Sequence, residues 1–269
     1  MAGPGGMTTV SPLRRIAPTV WLLAWLLAVA VPAAAEEVDL ELVLLADATG
    51  SIDDDEIRFQ RQGYATAITD PAVIGAIQDN LIGRIAVTYV EWGGATSQDV
   101  VVDWTIIDGP ESAARFAQAL SGPPRRAFGR NAIGSALLFG KRLIDDNGIT
   151  GIRRVIDLSA DSANNWHGVP LPVARAEVVA AGIVINGLAV LCRNCSGRPA
   201  AYDLEDAFAR WIIGGPGAFV VTADSPATFA EAVRRKLILE IAETQPRTQV
   251  ATSEGSATPT GADTRGGTR

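Results

Sequence analysis

The sequence predicts a doubly wound α/β domain: a mainly parallel six-stranded sheet with helices on both faces and one antiparallel edge strand. Three observations carry this. Between residues 36 and 243, apolar β-rich runs alternate with segments of helical period, the signature of a parallel sheet covered on both sides. Residues 40–46 form a nearly continuous apolar run, as a central strand buried on both faces requires. Residues 84–92 and 100–107 carry the Val, Ile, Thr, Tyr and Trp content of strands and flank Gly93-Gly94, which makes them a hairpin at one sheet edge.

The remaining elements follow in order. After the first strand, residues 53–68 place Ile57, Tyr64, Ala65 and Ile68 at helical spacing, completing a β-α unit. Residues 111–120 and 133–144 read as helices, the second ended by Asn147-Gly148, and residues 154–159 as a strand that stops at Asp161. A helix over 173–181 closes at Gly182 and is followed by a strand over 183–191. Residues 203–212 are helical and 218–222 a short strand. The last helix spans 226–241, with Ser225 as its cap and Pro226 at its first position. No internal repeat is evident.

The chain has 269 residues, 48% hydrophobic and 20% charged, enough to bury the core of one α/β domain. Its first 35 residues resemble an export signal. Arg14 and Arg15 precede an apolar stretch over 20–31, and Ala33-Ala34-Ala35 precede an acidic start at Glu36. Cleavage after Ala35 leaves residues 36–243 as the domain; an uncleaved anchor is the alternative, although the apolar stretch is shorter than the roughly 18–20 residues of a spanning helix. Ile16-Ala17-Pro18 after the Arg pair match twin-arginine export poorly, which favours the general secretory route to the periplasm or the exterior. Residues 244–269 turn to Thr, Gly, Ser and Ala and read as a disordered tail. Formal net charge is -7, and roughly -9 without the signal, which excludes nucleic acid as a partner because phosphate binding needs clustered Lys and Arg.

Asp47-Ala48-Thr49-Gly50-Ser51 stands at the carboxyl end of the first strand, where open parallel sheets place their ligand crevices. In an extended stretch, residues two apart point the same way, so Asp47, Thr49 and Ser51 can present a carboxylate and two hydroxyls to one point. A hard cation such as Mg²⁺ takes such oxygen ligands and keeps waters for the rest. The alternative reading is a helix entry, in which Ser51 caps a helix beginning near Ile52 and Asp54 completes a capping box.

The Asp-x-Thr-Gly-Ser-Ile run resembles the Asp-x-Ser-x-Ser element of the metal-ion-dependent adhesion site in von Willebrand factor type A domains, which share a Rossmann-like architecture. Two further elements appear in family order: Gly129-Arg130-Asn131-Ala132-Ile133-Gly134-Ser135-Ala136-Leu137 resembles the loop that supplies a threonine, and Leu158-Ser159-Ala160-Asp161-Ser162 resembles the strand end that supplies a second aspartate. More narrowly, Asp161-Ser162-Ala163-Asn164-Asn165 and Gly214-Gly215-Pro216-Gly217-Ala218-Phe219-Val220-Val221 look like a bacterial subfamily of that fold known as domain-of-unknown-function family 1194. The resemblance implies a metal set of Asp47, Thr49, Ser51, Asn131 and Asp161. Mg²⁺ is the first choice of ion, with Mn²⁺ or Ca²⁺ as alternatives. It also implies a protein partner that supplies a carboxylate to the open metal position. Thr49 keeps the hydroxyl of the family serine, whereas Asn131 replaces threonine with a longer amide.

Other signals are weaker. Cys192 and Cys195 are the only cysteines; in an exported protein they read as a local disulfide, and a thiol oxidoreductase is the rival use. His167 reads as a loop histidine, its rival role being a base for a hydrolase together with Asp161. Asp53-Asp54-Asp55-Glu56 suit the first turn of a helix. The sequence thus predicts a non-enzymatic, metal-assisted protein-binding module with no membrane span after signal removal, and a metal-free scaffold of the same fold is the remaining option.

Overall fold

The structure, a computed structural model, describes residues 1–3, 5–6, 35–191 and 203–242. The expected signal peptide (1–35), apart from its first few residues and Ala35, lies outside them, as do Cys192 and Cys195 and the expected tail (244–269). The chain divides into two compact units, Met1–Ala34 and Ala35–Arg269, and the second holds the fold.

Six strands form one sheet: β1 (Glu36–Asp47), β2 (Ile85–Trp92), β3 (Gln98–Ile107), β4 (Ile149–Ala160), β5 (Val184–Val190) and β6 (Val220–Ala223). Their spatial order is β3-β2-β1-β4-β5-β6, parallel throughout except for β3, which pairs antiparallel with β2 at one edge. Helices α1 (Asp54–Ile68), α2 (Pro71–Gln78) and α3 (Pro110–Leu120) lie with the last helix, α7 (Pro226–Ala242), on one face. The other face carries α4 (Ile133–Asp145), α5 (Leu171–Ala180) and α6 (Leu204–Ala207), which runs on into a π-helical turn at Phe208–Ile212.

Strand β1 shows why this sequence needs both layers. Leu40, Leu42 and Leu44 belong to the apolar cluster that includes Tyr64 and Ile68 of α1 and Leu237 of α7, while Val43 and Leu45 belong to the one that includes Leu137 of α4 and Val178 of α5. Each such side chain contributes about 1.5–3 kcal/mol on burial. Gly63 lets α1 approach α7, since a Cβ there would sit 2.4 Å from the Phe229 ring.

The expected elements are present, with two differences. Helix α2 is additional, capped by Asp70, whose Oδ1 accepts from Ala72 N at 2.8 Å, with Pro71 at the first position. Strand β4 starts at Ile149, earlier than its β-branched centre suggests, because its amino half ladders onto Glu36–Val38. From β1 the chain builds outward in one direction through β2 and β3, then returns to build outward in the other through β4, β5 and β6. The reversal falls between β1 and β4, whose carboxyl ends present Asp47 and, one residue past Ala160, Asp161.

Candidate metal centre

Asp47 is the last residue of β1 and is buried, 2% exposed. Its Oδ1 accepts the Thr49 backbone N–H at 2.8 Å, which bends the chain back on itself. The Thr49 hydroxyl then lies 3.2 Å from that of Ser51. Thr49 is buried and Ser51 exposed, so the three side chains lead from the sheet interior to the surface.

The helix-entry reading of this segment is corrected by the structure. Helix α1 begins at Asp54 and is capped by Asp53, whose Oδ1 accepts from Asp55 N and Glu56 N at 2.8 and 2.9 Å, while Glu56 Oε2 accepts from Asp53 N at 2.9 Å. Ser51 therefore does no capping, and its hydroxyl faces Thr49 instead.

A residue that the sequence did not single out holds this turn. Arg125, on the segment between α3 and α4, donates from Nη2 to the carbonyls of Ala48 (2.7 Å) and Thr49 (3.0 Å), from Nη1 to that of Ile52 (2.7 Å), and from Nε to that of Ala127 (3.1 Å). One rigid guanidinium thus ties both loops of the site together. Nothing in Pro123-Pro124-Arg125-Arg126 distinguishes it from a surface charge. Gln60 on α1 adds a bond from Nε2 to the Asp47 carbonyl at 3.2 Å.

Asn131 is brought to the same region by backbone contacts. Gly50 N donates to Gly129 O at 2.8 Å, Gly94 N to Phe128 O at 2.9 Å and Ala132 N to Gly93 O at 3.1 Å. Gly129 has φ +119°, and a Cβ there would meet Gly94 N at 2.8 Å, so this crossing requires glycine. The Asn131 carbonyl accepts from Trp166 N at 2.8 Å, and its side-chain Nδ2 is buried without a hydrogen-bond partner among the described residues.

Asp161 and Asp47 line one small cavity of about 10 Å³, closed by Ile52, Phe59, Gln60, Val190 and Phe229 among others. Thr49, Ser51 and Asn131 stand outside it. Burial first, and the neighbouring Asp161 carboxylate second, push Asp47 up to about 7, against the lowering effect of hydrogen bonds from the Thr49 backbone N–H, the Thr49 hydroxyl and the Asp161 backbone N–H. Asp47 Oδ2 is buried with no hydrogen-bond partner among the described residues. His167 is exposed on the loop leading from Asp161 to α5. No group of three or more His, Cys, Asp and Glu side chains that could hold a metal comes together among the described residues.

The residues present suit a hard divalent cation better than a soft one. They offer two carboxylates, two hydroxyls and an amide, all oxygen donors, with no thiolate or imidazole among them. A buried carboxylate beside a second one, with no ion pair of its own among the described residues, is disfavoured in its charged form, and a cation would offset that penalty.

The architecture is similar to that of proximal thread matrix protein 1 from the mussel byssus (TM-score 0.55, 13% identity, covering 78% of this chain and 49% of that one). It is also similar to the pilus adhesin SpaC from Lactobacillus rhamnosus GG (0.54, 11%, covering 77% and 31%). A third likeness is to the vWF domain of the type V pili tip protein Mfa5 from Porphyromonas gingivalis (0.50, 9%, covering 78% and 97%). The chain thus spans about half the length of the first and about a third of the second. At these identities the likeness is one of fold, and the fold is that of von Willebrand factor type A domains. No curated protein matches the chain. The family model described as "Protein of unknown function (DUF1194)" matches residues 37–245, and the chain belongs to that family.

Proposed function

We propose that this chain is an exported, non-enzymatic module that binds a protein partner through a divalent cation held by Asp47, Thr49, Ser51, Asn131 and Asp161. The observation that carries the reading is the meeting of Asp47 and Asp161 at one small cavity, where burial first and the neighbouring carboxylate second push Asp47 up and no ion pair among the described residues involves it. Folding has left an acid where burial disfavours its charge, and a bound cation reverses that penalty. When bound, the ion supplies a Lewis-acidic position open to a carboxylate from the partner.

The protein residues divide the work. Asp47 and Asp161 supply charge, while the hydroxyls of Thr49 and Ser51 and the Asn131 amide supply neutral oxygens that leave most of the ion's charge uncompensated. Arg125 and Gln60 fix the turn through its carbonyls without touching the carboxylates. One solved structure of the byssus matrix protein carries a zinc-occupied MIDAS motif, and SpaC is an adhesin, which supports an adhesive rather than a catalytic use of this fold. Mg²⁺ is the first choice of ion on the hardness of the donors, ahead of Mn²⁺ and Ca²⁺. No helix among the described residues is long and apolar enough to cross a membrane. Export to the periplasm or the exterior rests on the signal read in residues 1–35.

Calorimetric titration of Mg²⁺ and Mn²⁺ into the wild type and Asp47→Ala tests the reading. Binding by the wild type alone is expected; equal absence of heat in both proteins sinks it.

A further inference from the structure

Two large aromatic side chains stand in the open beside the candidate metal centre, Phe128 at 54% and Trp166 at 58% exposed. Both flank Asn131: Phe128 lies three residues before it, and Trp166 N donates to its carbonyl. The Arg130 guanidinium carbon lies 5.6 Å from the centre of the Trp166 ring, and that of Arg125 lies 4.6 Å from the centre of the Phe128 ring. This display is held in place. Phe128 N donates to Ser97 Oγ at 2.9 Å, and the Gly129 crossing admits no side chain.

Charge divides the rim of the centre. On the α1 side, Asp53, Asp54, Asp55 and Glu56 form an exposed or half-buried acidic turn that stays net negative although Asp55 pairs with Arg58 and Asp54 with Arg125. Next to Asn131, Arg130 is exposed, stacks on Trp166 and makes no ion pair among the described residues. In a chain of net charge -7 this is a local reversal. A partner carrying a carboxylate is repelled from the acidic turn and drawn to Arg130. Exposed Trp and Arg, pinned rather than mobile, are also the residue types that dominate binding energy at protein interfaces.

Building on the metal-assisted reading above, we infer that the partner lies across the Phe128–Arg130–Trp166 face. It is an acidic polypeptide segment that brings, beside its metal-directed carboxylate, a large apolar side chain for the aromatics and a second acid for Arg130.

The test is selection of a phage-displayed random octapeptide library on the immobilised full chain with Mg²⁺ present, followed by anisotropy titration of the recovered peptides. Recovered sequences are expected to hold at least two acids flanking an aromatic or large aliphatic residue. Trp166→Ala and Arg130→Gln should each weaken them by about 10-fold, with Mg²⁺ affinity by calorimetry not weakened and Asp55→Lys not weakening capture. Peptides that need Mg²⁺ but ignore both substitutions, or that carry an acid with no apolar neighbour, overturn the face and leave the metal reading intact. Peptides that need Trp166 and Arg130 but ignore chelator uphold the face and overturn the metal reading. No capture, or a dimer in sedimentation that Trp166→Ala disperses, overturns the proposal in favour of no peptide partner or a second copy of the chain.

Discussion

Asp47 and Asp157 are buried carboxylates on adjacent strands of the same sheet, and burial pushes both up to about 7. What sets them apart is the source of positive charge. Beneath α7, Lys236 Nζ lies 2.7 Å from Asp157 Oδ1 and also bonds Glu240, while Asn186 Nδ2 donates to Glu240 at 3.0 Å; all four side chains are at most 1% exposed. At the carboxyl end of β1, none of the ion pairs among the described residues involves Asp47, and Arg125, which braces the turn after it, donates to backbone carbonyls and pairs with Asp54. One acid has its cation built into the chain, and the other has no ion pair among the described residues, which is the difference on which the proposed metal reading rests. The difference teaches that a raised carboxylate marks a site only when the protein has not already answered it.

The comparison breaks most visibly at Lys236. Lys236→Met strands two acids in the core, which costs about 3–5 kcal/mol in urea unfolding at pH 7. The loss depends on pH in a definite direction. Asp157 sits above its unfolded value of 3.8, so its contribution is full below that pH and is lost as pH rises through about 7. Lys236 lowers Asp157, so its loss raises that carboxyl further: the deficit relative to wild type should be smallest and flat from pH 4 to about 6, where the acid is protonated in both folded proteins, and should widen as pH rises through and above 7. A uniform deficit across that range would mean that lost packing, not stranded charge, is responsible.

At Asp47 the same logic predicts the opposite sign. Asp47→Asn keeps an oxygen for the Thr49 N–H and removes the desolvated charge, so the metal-free protein gains about 2 kcal/mol at pH 8, with the linkage relation setting a ceiling of roughly 4 kcal/mol. The variant should also lose any rise in melting temperature on adding Mg²⁺. Thermal unfolding with and without chelator reads both effects in one experiment. A less stable metal-free variant would show that Asp47 is satisfied as it stands.

Arg125 separates the shape of the centre from its charge. Arg125→Lys cannot reach the carbonyls of Ala48, Thr49 and Ile52 together, so stability should fall by about 1–1.5 kcal/mol and Mg²⁺ affinity by roughly tenfold. If the residue mattered only as a positive charge near the site, Arg125→Ala would strengthen Mg²⁺ binding; as a brace, it should weaken it at least as much as Lys does.

The mainly parallel sheet and its antiparallel edge were legible because β1 needs two apolar faces and the Gly93-Gly94 region suits a hairpin to β3. Of the residues proposed for the centre, Asp47, Thr49 and Ser51 could be read from their alternation at a strand end, and Asn131 and Asp161 only through the family resemblance. Long-range pairings were not. Glu41 interrupts the apolar run of β1, yet is buried because Asn147 Nδ2 and Gly151 N each donate to it at 2.7 Å, from positions about 110 residues away. Lys236 falls in a helix that reads as amphipathic, and nothing local says that its ammonium turns inward. Arg125 and the Phe128–Trp166 face depend likewise on loops whose meeting is set by the sheet and not by their own residues.

The smallest expected effect belongs to Asn131. Its Nδ2 is a buried donor with no acceptor among the described residues, while its backbone carbonyl already serves Trp166. Replacing it with threonine removes the stranded donor and restores a hydroxyl of the kind Thr49 and Ser51 supply, so stability should rise by about 0.5–1 kcal/mol. If the Asn131 amide oxygen faces the ion, threonine preserves Mg²⁺ affinity within a few-fold and alanine lowers it by about tenfold, near 1.4 kcal/mol. Calorimetry on Asn131→Thr and Asn131→Ala side by side decides the point. Equal affinities in the two variants would remove Asn131 from the metal set and leave the centre to Asp47, Thr49, Ser51 and Asp161, with Asn131 serving only to seat Trp166 through its carbonyl.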